Sequence, residues 1–140
     1  MCSRSALVVA VVSLCLAVFA PSSGDAQTIH LSVEDIALRN GESVEFGNLY
    51  LIGADCKSLL VSEPQVEIMD GPPGVAVAVT RAMVAPYEHN CERAVLGGKM
   101  QITAQGVVAY SYTRMILRIT YKTPSGDLQR SQHINVALFP

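Results

Sequence analysis

The chain has 140 residues, which is room for one domain. Hydrophobic residues make up 50 % and charged residues only 16 %, a balance that excludes disorder over most of the length. Ten basic residues against twelve acidic ones leave no positive excess to neutralise phosphates, so nucleic acid is not an expected partner.

The N-terminus reads as an export signal. Arg4 supplies a positive start, and Ala6 to Ala20 is an apolar run without a charge. A helix of that length rises about 22 Å, short of the ~30 Å hydrocarbon core, so it fits a cleaved signal better than a permanent anchor. Pro21 to Gly24 breaks the helix. Gly24 and Ala26 then place small residues at the −3 and −1 positions for cleavage before Gln27. An uncleaved anchor would need a longer run. A lipoprotein would need its cysteine at the end of the run, whereas Cys15 lies inside it. Residues 1–26 are therefore expected to be a signal peptide and 27–140 the domain.

Cys56 and Cys91 are the remaining cysteines. In an oxidising compartment two thiols are expected to form one disulfide. A redox site would want Cys-x-x-Cys, and a structural zinc site four close ligands; neither pattern occurs.

Along the rest of the chain, short alternating runs separated by turn residues predict strands. Ile29, Leu31 and Val33 alternate with polar residues. Glu34-Asp35 reads as the exposed polar start of a loop, and Asn40-Gly41 as a turn. Val44 and Phe46 predict a strand, with a bend or bulge at Gly47-Asn48. Residues 53–64 read as a loop carrying Cys56, in which Leu59, Leu60 and Val61 need cover. Gln65 to Asp70 and Val75 to Val79 predict two strands, joined as a hairpin by Gly71-Pro72-Pro73-Gly74. A collagen-like or SH3-ligand reading of this unrepeated element fails.

Arg81 to Gly98 is the least regular stretch, and Lys99 to Thr103 returns to strand. Gln105-Gly106 turns the chain before Val107 to Tyr112. Met115, Leu117, Ile119 and Tyr121 then alternate with Ile116, Arg118, Thr120 and Lys122 in the clearest strand of the chain. Pro124 to Asp127 is a turn, and Ile134, Val136 and Leu138 alternate again. These two strands should turn their apolar residues inward. Seven or eight strands at this spacing predict an all-β antiparallel sandwich or barrel.

The features from Cys56 to Leu138 resemble small exported bacterial proteins with an immunoglobulin-like β-sandwich. Cys56, the GPPG element, Cys91 followed by Leu96-Gly97-Gly98, and Tyr121, Gly126 and Ile134-Asn135-Val136 carry the resemblance. It covers about 85 residues. The chain has no tryptophan, unlike antibody domains with their buried one. The resemblance implies a fold and a periplasmic or secreted location, and it brings no catalytic residues.

Few residues of the chain suggest chemistry. His30 and His133 fall at outward strand positions. His89 sits in Pro86 to Cys91, the richest polar cluster and a candidate weak site, and Glu88 and Glu92, which flank Cys91, would form a weak cation or partner patch with Asp55 if the disulfide closes. A copper reading would use Tyr87, His89, Cys91 and Met100, but it needs two histidines and a free thiolate. The scattered methionines 69, 83, 100 and 115 read as packing residues. No nucleophile elbow, metalloprotease helix or phosphate loop occurs. Two expectations result. One is a non-enzymatic exported module that binds a protein or cell-envelope component without a cofactor. The other is a small periplasmic metal-binding protein or enzyme on a sandwich scaffold.

Overall fold

The computed structural model describes residues 34–87 and 91–140. The proposed signal, its cleavage site and the Ile29-Leu31-Val33 run with His30 lie outside the described residues, as do Glu88 and His89. Seven strands are present: β1 (Glu34–Arg39), β2 (Ser43–Leu49), β3 (Gln65–Asp70), β4 (Val75–Val84), β5 (Val95–Ala104), β6 (Ser111–Thr123) and β7 (Gly126–Phe139). The described residues contain no helix.

One sheet has the order β1-β7-β6-β3 and the other β2-β5-β4. They share one apolar core, as a β-sandwich does. Met115, Leu117, Ile119 and Tyr121 of β6 and Ile134, Val136 and Leu138 of β7 meet Met100, Ile102 and Ala104 of β5 there. The two-residue period of a strand puts one side of each alternating run on the core. Full burial of each large aliphatic side chain stabilises by roughly 1.5–3 kcal/mol.

Several expectations need correction. Gly71 to Gly74 is not a hairpin loop. It carries the chain from β3, at the edge of one sheet, to β4, at the edge of the other. Gly74 has φ +81°, and its carbonyl accepts from the Gln105 amide at 2.7 Å. Turn residues of this kind serve a crossing between sheets as well as a hairpin. The sandwich is also not wholly antiparallel, because β1 and β7 run parallel, with Leu38 beside Leu138. At Asn40-Gly41 the Asn40 amide donates to Phe139 and the Gly41 amide to Ala104, so the chain leaves one sheet for the other there.

Glu34-Asp35 begins β1 rather than a loop, because it pairs with Ile134 and Asn135. The irregular stretch is shorter than expected: β4 runs through Arg81 to Val84, and β5 already starts at Val95. Val107 to Tyr110 precedes β6 instead of belonging to it. Val107 is held by its amide, which donates to Asn40 Oδ1 at 3.1 Å. The irregularity at Gly47 is a register shift between Glu45 and Gly47 against β5.

Candidate functional site

Three connections gather at one end of the sandwich. They are the β2–β3 segment (residues 50–64), the β4–β5 segment (residues 85–94) and the two-residue turn Pro124-Ser125 between β6 and β7. The first folds back on itself. Ile52 bridges Ser58, the Gly53 amide donates to Lys57, and the Leu59 amide donates to Leu51. At its tip the Cys56 amide donates to Gly53 at 3.0 Å, with Cys56 in the left-handed region at φ 60°. A non-glycine residue takes that conformation at a cost of roughly 1–2 kcal/mol, so its surroundings must enforce it.

Enforcement comes from both sides. Cys56 is bonded to Cys91, with 5.6 Å between their Cα atoms. The Ser58 hydroxyl donates to the Leu96 carbonyl at 2.8 Å, and the Tyr87 amide donates to the Tyr50 hydroxyl at 3.0 Å. The Val61 amide donates to Lys122 at 3.0 Å, which ties the same segment to the end of β6. The disulfide thus joins two loops that hydrogen bonds already hold together.

The expected site residues divide. Asp55 stands beside Cys56, and Glu92 beside Cys91, so the disulfide does bring their segments together. Asp55 is engaged within its own turn: Oδ1 accepts from the Lys57 amide at 3.2 Å, and Oδ2 lies 3.8 Å from Lys57 Nζ. Glu92 is exposed. Of the copper candidates, the Cys91 sulfur is in the disulfide, Met100 is 1 % exposed in the core, and Tyr87 is exposed. Among the described residues no three His, Cys, Asp or Glu side chains converge as metal ligands. His133 is half-buried on β7 opposite Ile116.

A different feature of this end stands out. Leu51, Leu59, Thr123, Pro124 and Leu128 line an open concavity of about 460 Å³. Leu59 and Leu128 remain about two-fifths exposed, at 42 % and 41 %, and Val61 is exposed as well. Of the three residues expected to find cover, only Leu60 is buried. The signal was present in the sequence as three adjacent apolar residues in a loop. What could not be read was that the β6–β7 turn would stand beside two of the loop's leucines.

A second polar cluster lies on the face of β1, β6 and β7. Asp35 Oδ1 accepts from Asn135 Nδ2 at 2.8 Å and from the Tyr112 hydroxyl at 3.2 Å. Desolvation raises the Tyr112 pKa above its ordinary value of 10.0, and the hydrogen bond and negative charge of Asp35 add to the shift. The arrangement ties three strands together.

No family model matches this chain, and neither a curated protein nor a solved structure matches it.

Proposed function

We propose that residues 27–140 form an exported, non-enzymatic immunoglobulin-like module that binds a protein partner of the cell envelope through its disulfide-tied loop end. Strand order supports the immunoglobulin-like type. Lettered A to G along the chain, the strands fall into B-E-D and A-G-F-C sheets. Constant-type domains share the B-E-D and C-F-G groups, and here the first strand lies beside G. The gathered loops are then B–C, D–E and F–G, one of the two loop ends such sandwiches use for recognition.

The observation that carries the binding reading is the apolar concavity between Leu51, Leu59, Pro124 and Leu128. Exposed apolar surface is tolerated where a partner covers it. Here the walls are preorganised by a disulfide and a tight turn, which reduces the ordering cost of association. An apolar side chain of a partner protein fits this lining.

The test is a pull-down from envelope extract with the exported protein as bait. The double variant Leu59→Asp/Leu128→Asp should lose a partner that wild type and Val108→Asp, changed at the opposite end, both retain. Retention by the double variant would contradict the reading. N-terminal sequencing of the same preparation should begin at Gln27, and a product that keeps Met1 to Ala20 would contradict export with cleavage.

A further inference from the structure

The strands at the sheet edges differ in how they are guarded. Unpaired edges invite other strands, and proteins blunt them with charges, proline, bulges or short length. β1 is six residues long and carries Glu34, Asp35 and Arg39. β2 has a register shift beside Glu45. β3 is six residues long, carries Glu67, and shifts register between Ile68 and Asp70. The part of β7 beyond the reach of β1 carries Asp127 and Arg130.

β4 has almost none of these devices. It is ten residues long, and its pairing with β5 runs in unbroken register from Val75 opposite Ala104 to Val84 opposite Val95. It contains no proline, and its one charge is Arg81. Among the described residues it pairs with β5 alone. Ala76, Ala78 and Thr80 are exposed and small, so another backbone can approach. Met83 is 62 % exposed, an apolar residue left on a guardless edge.

We infer that β4 is a dimerisation edge, on which the β4 of a second copy of this chain adds as an antiparallel strand. A two-fold axis through Val79 satisfies three requirements at once. Residues 75 to 83 of the two copies pair along their length, giving a continuous sheet β2-β5-β4-β4-β5-β2. Odd-numbered residues meet odd-numbered ones, so Val75, Val77 and Val79 of both copies stay on the core-facing side. Each Met83 is set opposite Val75 of the other copy, a contact that the symmetry makes twice, once for each copy.

Electrostatics is compatible with this register. An axis through Arg81 would set two guanidinium groups directly opposite each other, which destabilises a strand pair. With the axis through Val79, each Arg81 faces Val77 of the other copy. The two charges are then four residues apart along the strands, about 13 Å, beyond the screening length of ~8 Å at physiological salt. The formal net charge of −2 adds little repulsion between copies. A ladder about 30 Å long without a large side-chain interface belongs to the weak, concentration-dependent class of association.

Sedimentation velocity over a concentration series tests this on the purified protein. Wild type should move from the monomer towards the dimer limit as concentration rises. Met83→Lys and Ala78→Lys each place a lysine on the edge at an exposed position, so both should stay monomeric at every concentration with unchanged thermal melts. A wild type that stays monomeric up to its solubility limit would overturn the proposal. A dimer that persists in both folded lysine variants would overturn it equally, because the interface would then lie elsewhere.

Discussion

Cys56 and Cys91 stand 5.6 Å apart at Cα, and neither belongs to a strand. Their bond joins the β2–β3 segment to the β4–β5 segment over a separation of 35 residues. The bond inside an antibody domain instead connects strands of the two sheets beneath a tryptophan. Here the core closes without a tryptophan, and the cross-link stabilises a loop end.

The first prediction concerns that bond. A loop of this size gives a chain-entropy stabilisation of about 4 kcal/mol. Cys56→Ala and Cys91→Ala should each lose it in urea unfolding, and the double variant should lose no more, since all three remove one shared bond. Additive losses would show that each cysteine contributes separately.

Leu117 is fully buried in β6, and Arg118 beside it points to the other face. Leu117→Asp buries an unpaired charge, which costs several kcal/mol and should unfold a domain whose whole stability is about 5–15 kcal/mol. Arg118 lies opposite Glu67, 3.7 Å from its carboxylate. Arg118→Asp sets two acids across the strands and should cost only about 1 kcal/mol or less. Combining it with Glu67→Arg should restore the loss. Circular dichroism melts separate these outcomes.

Gly97 and Gly47 make a further contrast. A Cβ on Gly97 would strike the Leu49 carbonyl oxygen and lie 2.8 Å from Val84 Cγ2, whereas one on Gly47 meets nothing within 4 Å. Gly97→Ala should destabilise by about 1–3 kcal/mol through overpacking. Gly47→Ala should be neutral or stabilise by about 0.4–1 kcal/mol, because the unfolded chain loses freedom. Chemical denaturation of the two variants checks both signs.

Tyr112 gives a pH signature. Its pKa is raised from 10.0 by desolvation first and then by Asp35, so the folded state holds the phenolic proton more tightly than the unfolded chain. The resulting stabilisation is complete below the unfolded value and is lost as pH rises through the folded one. Stability measured on either side of pH 10 should therefore fall less steeply in Tyr112→Phe than in wild type. Parallel curves would contradict the assignment.

The alternation of Met115 to Tyr121 and of Ile134 to Leu138 was legible because each strand has one core face and one outer face. Gln65 to Asp70 was legible for the same reason. Pairing between distant strands was less so. Gly71 to Gly74 carries turn chemistry that suits a hairpin and a sheet crossing equally, and only the tertiary structure separates β3 from β4. The Gly97-Gly98 pair reads as irregular, yet both residues lie in β5, where the Leu49 backbone, Val84, Val79 and Pro64 leave no room for a Cβ. At the loop end, the cysteine pair was readable from count and compartment. The concavity was not, since Leu51, Leu59 and Leu128 come from two segments far apart in the chain.

Hydrogen exchange on the module with its captured envelope partner tests the central claim most directly. Binding through the disulfide-tied end should slow exchange in residues 50–64 and 123–128 and leave residues 71–74 and 105–110, at the opposite end, unchanged. Protection confined to that opposite end, or spread along neither, would contradict the account.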